Sequence, residues 1–235
     1  MFHLGINRTV CVDTLIEQQS SVFLDSAKAV ISRDKHVCQL CKFRSLKWQQ
    51  VITKNQRYTQ SDFSMENMIT VCPLCFLGQR LGHAALEDKV TFIYLPEMSQ
   101  ADLNNLMRLV YYYIQLPEVD EEKEDLTEQE QGVIDCQSHS EALLLELRDR
   151  VPLVSKVYQN TRLNHLKTLV TMLYQLPDEK YEKRDLFFQP IRYLVAPSVM
   201  AELNKTYAAD VFHPLDGFSE IKHSSMLNLS SFTES

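Results

Sequence analysis

Four cysteines carry the most specific chemistry in the chain. Cys38 and Cys41 form one C-x-x-C pair, and Cys72 and Cys75 form another after an insert of thirty residues. Thiolates are good ligands for Zn2+, and two tight turns that each present two sulfurs fill a tetrahedral shell, leaving no position open to water or substrate. The spacing therefore predicts one structural zinc that holds the fold together and catalyses nothing. Two disulfides or a thioredoxin-like redox pair are the competing readings, and the redox reading requires a βαβ context that neither pair has. Cys11 and Cys136 stand outside the set and read as free thiols.

The elements that must position these sulfurs are read from periodicity. Residues 1 to 24 carry scattered β-branched side chains (Ile6, Thr9, Val10, Val12, Thr14), which predicts one or two short strands. Asp25 is the expected cap of a short helix through Ala27 to Ile31 that ends at Arg33-Asp34 and delivers the first pair. Leu46 to Thr53 reads as a strand, Lys54 to Ser64 as a loop, and Asn67 to Val71 as the lead into Cys72. Val90 to Leu95 is a β-rich run stopped by Pro96, and Ser99-Gln100-Ala101-Asp102 opens a helix with Leu103, Leu106, Met107, Val110 and Ile114 on its apolar face. That helix is expected to pack on the metal module.

Beyond it, Pro117 to Gln131 is a polar, acidic run that reads as a mobile connection. The expected organisation is α+β: a metal module over 1–116, an acidic linker over 117–131, a helical region over 132–216 and a flexible tail over 217–235. Amphipathic helices are expected near 128–149 and 154–176, an apolar cluster from Leu186 to Val195, and a last short helix over 198–208.

Composition narrows the function classes. Hydrophobic residues at 45% and charged residues at 23% can build a packed core, so the chain is expected to be folded and soluble. Met1 to Arg8 shows no basic segment leading into an apolar one, and no stretch approaches the roughly 20 apolar residues of a membrane span. The expected compartment is therefore a reducing cytosol, where thiols bind metal. A net charge of −7 weighs against a protein whose main work is gripping nucleic acid. Between Arg33 and Arg80, however, basic residues outnumber acidic ones, which keeps open either a nucleic-acid face or an ordinary solvated surface.

The run from Arg33 through Lys35-His36-Val37 to Cys38 and Cys41 resembles the opening of an HNH-type nuclease module, and Asn67-Met68 through Val71 to Cys72 and Cys75 resembles its close. The resemblance implies a ββα fold with a cysteine-bound structural zinc beside a separate catalytic metal. It also implies a general-base histidine late on the first strand and a metal-binding His or Asn just after the last cysteine. Here Gln49 and Gln50 stand where Asp-His is expected, and Phe76 follows Cys75. An amide cannot abstract a proton and a phenyl ring cannot hold a divalent metal. His36 and His83 lie nearby in sequence but not at the matching positions, so no catalytic residue is assigned. The expectation is a nuclease scaffold without its chemistry.

With the segment Phe92 to Asn104 included, the order of motifs from about 25 to 115 resembles the IcmJ (DotN) family of the Dot/Icm type IVB secretion system. Its Tyr-Leu-Pro-Glu stretch is matched by Tyr94-Leu95-Pro96-Glu97 and its helix start by Gln100-Ala101-x-Leu103-Asn104. This resemblance implies a non-enzymatic subunit on the cytoplasmic face of the bacterial inner membrane. Its partner would be the C-terminal extension of the coupling ATPase DotL, alongside the IcmS–IcmW adaptors, with no small-molecule substrate. The partner segment is expected to lie across the metal module and the helix that begins at Ser99. A divergent nuclease and a zinc-stabilised nucleic-acid binder are the alternatives.

Overall fold

The computed structural model describes residues 4–120, 123, 125–159 and 165–207. The tail expected over 217–235 lies outside them, as do residues 160–164 of the helix expected over 154–176.

The residues around the cysteines build a strand pair followed by a helix. β1 (Gln50–Thr53) runs antiparallel to β2 (Met68–Val71), with Gln50 opposite Val71 and Thr53 opposite Met68. β1 is shorter than the strand expected from Leu46, because Trp48 takes a left-handed backbone (φ 65°) that breaks the extended run. β2 feeds straight into Cys72, which caps α2 (Pro73–Gln79); Pro73 fits the first helical position because no intrahelical acceptor awaits its missing N–H. Across the strands lies α1 (Ser21–Arg33), whose Phe23, Ala27 and Val30, at helical spacing, cover Val51 and Met68 in a small cluster with Tyr58. Ser20, not Asp25, caps α1, its side chain accepting from the Phe23 amide at 3.5 Å.

Among the described residues, the strands expected in residues 1 to 24 do not form. After a short 3-10 turn at Ile16–Gln19 the chain enters α1, and residues 5 to 8 run as an irregular strap whose polar groups are met elsewhere. The Gly5 amide donates to Gly78 O (2.9 Å), Gly5 O accepts from Leu81 N (2.9 Å), the Ile6 amide donates to the Tyr181 hydroxyl (2.9 Å) and Arg8 N donates to Gln56 O (2.8 Å). Buried backbone groups need partners, but a ladder is only one way of supplying them.

α3 (Leu81–Leu86) follows α2 and leads to β3 (Val90–Tyr94) and α4 (Gln100–Ile114), capped by Ser99 as expected. The helix expected near 128–149 is α5 (Glu128–Asp149), which Thr127 opens with a reciprocal capping box to Glu130. In place of one helix over 154–176 come α6 (Val151–Val157) and α7 (Leu166–Gln175). α8 (Asp178–Glu182), α9 (Arg184–Phe188), β4 (Ile191–Val195) and α10 (Pro197–Tyr207) follow. β4 pairs antiparallel with β3, Val90 opposite Val195 and Tyr94 opposite Ile191. The described residues therefore form an α+β arrangement with two separate two-stranded ribbons.

One apolar cluster runs across the acidic stretch, joining Val71, Leu74 and Leu81 to Phe92, Leu103 and Val110 and on to Leu173, Ile191 and Tyr193. α4 enters it through Leu103, Met107, Val110 and Tyr111, and Leu109 and Tyr113 are buried as well. Gly78 marks a close approach: a Cβ there would come within 2.6 Å of the Tyr193 hydroxyl. That hydroxyl donates to Leu74 O at 2.6 Å, so β4 rests directly on α2.

Candidate metal centre

The first pair sits on a turn closed by its own backbone. Cys38 N donates to Phe43 O (2.8 Å), Lys42 N donates to Cys38 O (2.9 Å), and Cys41 N points at the Cys38 sulfur (3.4 Å). Lys42 closes the turn in the left-handed region (φ 66°). Gln39 N donates to Thr70 O at 2.8 Å and so lays this turn beside the end of β2. The second pair needs no such turn. Cys72 caps α2, accepting from Cys75 N at 3.5 Å, and the positive end of the helix favours negative charge on its sulfur.

Together the two pairs bring all four sulfurs within 4.8 Å of one another, and every one of the four residues is buried. A tetrahedral zinc–thiolate site with bonds of about 2.3 Å has sulfurs about 3.8 Å apart. The Cys41 and Cys72 sulfurs lie 3.5 Å apart, close to that value and far from the ~2.05 Å of a disulfide. The six cysteines are free, Cys11 exposed and Cys136 half-buried, so the two-disulfide reading fails. Cys38, Cys41, Cys72 and Cys75 could hold a metal ion, and their donor chemistry and spacing fit a closed tetrahedral shell.

Burial pushes the Cys72 and Cys75 thiols well up, reinforced by the neighbouring sulfurs. Hydrogen bonds from Cys38, Cys72 and Cys75 hold Cys41 down, and the Arg108 guanidinium adds to this. Arg108 lies within α4. Its Nη2 donates to the Cys72 sulfur at 2.8 Å and reaches the Cys41 sulfur at 3.7 Å, and its guanidinium lies 3.8 Å over the ring of Phe43. One turn earlier, Asn104 Nδ2 donates to the Cys75 sulfur at 3.3 Å.

Arg108 was not picked out from the sequence, and Gln100 and Asn104 entered only through the resemblance of the helix start, although a signal for their role at the sulfurs was present. Gln100, Asn104 and Arg108 recur every four residues, making one polar stripe on a helix that is apolar to either side. All three are buried. A polar row of this kind in an apolar helix needs a polar partner.

Two positions where the nuclease-like pattern wants catalytic groups, Gln50 and Phe76, line one open groove of about 250 Å3 together with His83, which stands at no such position, and Trp48, Leu77 and Leu203 are among its apolar walls. His83 is edge-on to Phe76, 6.2 Å between ring centres, and burial holds its imidazole below the usual range. His36 is not part of this wall. It belongs to the turn before Cys38, its carbonyl accepting from Gln49 Nε2 at 2.7 Å.

No family model matches the chain. Over 92 residues, 38% of this chain, it is 30% identical to the type 4 apparatus protein DotN of Legionella pneumophila. The match spans 42% of that relative's length.

Proposed function

We propose that the chain is a non-enzymatic adaptor subunit of a bacterial type IVB secretion coupling complex, built on a zinc-stabilised, HNH-like scaffold. The similarity to a type 4 apparatus protein carries this reading. One Zn2+ on Cys38, Cys41, Cys72 and Cys75 is supported by their burial and mutual distances; with four thiolates around it, the ion has no open position and serves only structure. The absence of catalysis is supported by Gln50 and Phe76, which can neither abstract a proton nor ligate a catalytic metal.

In this reading the partner is the C-terminal extension of the coupling ATPase DotL, assembled with IcmS–IcmW in effector recruitment. The chain reaches the cytoplasmic face of the inner membrane through that ATPase. Among the described residues no helix is long and apolar enough to cross a membrane. In this reading the captured segment lies across the metal module and the side of α4 that stays accessible, at Asp102, Asn105 and Leu106.

Calorimetry of the full chain with the ATPase extension tests the proposal. The expected result is a 1:1 complex with a clearly negative heat-capacity change, from buried apolar surface, and modest salt dependence. Failure to bind, together with Mg2+- or Mn2+-dependent plasmid cleavage that is lost in His83→Ala, would replace this reading with a divergent nuclease. Nucleic-acid affinity that falls steeply with salt would replace it with a nucleic-acid binder.

A further inference from the structure

We propose that the polar stripe of α4, Gln100–Asn104–Arg108, positions and electrically balances the metal centre and locks it to the β3–β4 ribbon. This inference rests on the metal reading above and assigns roles to residues outside the ligand set. Four thiolates around a divalent ion leave two surplus negative charges in a site that the fold buries completely. An uncompensated charge in such a place is costly, and compensation has to come from a nearby cation or from dipoles aimed at the sulfurs.

Arg108 is the nearby cation. It is fully buried, and its fork is fixed on three sides. Nη1 donates to Asn105 Oδ1 at 2.6 Å and to Asn104 O at 3.3 Å, Nη2 faces the Cys72 and Cys41 sulfurs, and the Phe43 ring covers the guanidinium plane. Phe43 lies two residues past Cys41, and Nη2 reaches a sulfur of each pair, so Arg108 touches both halves of the ligand set.

Asn104 brings a second donor, to Cys75. Its orientation is fixed because Oδ1 accepts from Gln100 Nε2 at 2.9 Å, leaving Nδ2 to face the sulfur. Gln100 in turn pairs with the backbone of β4: Nε2 donates to Tyr193 O (3.0 Å), and Oε1 accepts from Tyr193 N (2.9 Å). A continuous chain of hydrogen bonds therefore runs from the Cys75 sulfur to the β3–β4 ribbon. Partners of this kind around metal ligands fix ligand orientation and tune affinity, and their removal weakens metal binding by about 10- to 100-fold.

The test uses the full chain loaded with Zn2+ or, for spectroscopy, Co2+. Arg108→Met is expected to raise the rate of Zn2+ loss to a chelator and to weaken Co2+ binding by about 10- to 100-fold. Arg108→Lys, which keeps the charge without the fork, should recover part of the loss, and Asn104→Leu should give a smaller one. The sulfur-to-cobalt charge-transfer bands should move to lower energy in Arg108→Met and Asn104→Leu, because a thiolate that loses a hydrogen-bond donor gives up its electrons more readily. The d–d bands should stay tetrahedral.

Wild-type affinity and band positions in both variants would overturn the inference. So would weakened binding with unmoved bands and no rescue by lysine, the outcome of a packing defect alone. If Arg108→Met does not fold, Arg108→Lys and Asn104→Leu carry the same test. A wild-type chain that binds neither ion would overturn the metal reading itself, an outcome visible before any variant is made.

Discussion

Two buried clusters set the stakes for single residues. At the four-cysteine centre, Cys72 is both a predicted ligand and the cap of α2, so Cys72→Ser removes a soft donor where one is needed most. Binding free energy at structural zinc sites is comparable to a domain's whole stability. The variant is expected to purify without metal by elemental analysis and to lose its cooperative thermal transition. The second cluster is a buried ion-pair triad. Arg80 is fully buried between Asp13 and Glu17, with Nε 2.7 Å from Asp13 Oδ2 and Nη1 2.7 Å from Glu17 Oε1, and it lies 4.0 Å over the ring of Tyr58. Removing the cation alone strands two buried carboxylates, so Arg80→Met should cost about 3–5 kcal/mol in urea denaturation. The triple change Asp13→Asn, Glu17→Gln, Arg80→Met should recover much of that loss, since the penalty belongs to the unpaired charges.

At the scale of elements, the joints matter more than the helices themselves. Asp34, just past α1, takes a two-pronged contact from Arg33 (2.8 and 3.0 Å) and accepts from the Thr70 amide at 2.9 Å, fastening α1 to β2. Burial alone would raise its carboxyl, but these hydrogen bonds outweigh burial and hold it below the ordinary value. A carboxyl lowered on folding stabilises the fold fully above the unfolded-state value, and that contribution is lost as pH falls through the lowered folded value. Wild type should therefore lose more stability than Asp34→Asn on acidification below the ordinary carboxylate range, in parallel urea titrations. A second joint is Gly78 under Tyr193. Gly78→Ala puts a methyl group into the tyrosine ring, and overpacking of this kind costs about 1–3 kcal/mol. Hydrogen exchange should show the damage in β4 as well as in α2, because the tyrosine joins them.

For the whole molecule, the β3–β4 ribbon decides the architecture. It pairs residues about a hundred apart and brings Tyr193 onto the helix that carries Cys75, so the later part of the chain completes the housing of the earlier part. The cysteine spacing, the Ser99 cap of α4, a strand ending at Thr53 and the run into β3 were legible because each is local. A cap, a turn or a hydrophobic period is set by residues within a few positions of one another. Scattered β-branched residues before Ser21 suggested strands, and tertiary partners overrode that preference by taking the backbone groups of residues 5 to 8 one at a time. β4 went unread within the apolar cluster from Leu186 to Val195, although Pro190 and Pro197 flank the strand and bound it. The sequence alone determined which four side chains can share a metal. Only the tertiary structure decided that Arg108 and Asn104 face their sulfurs, because the compensation of a buried charge is settled by whichever element packs against it, however far along the chain that element lies.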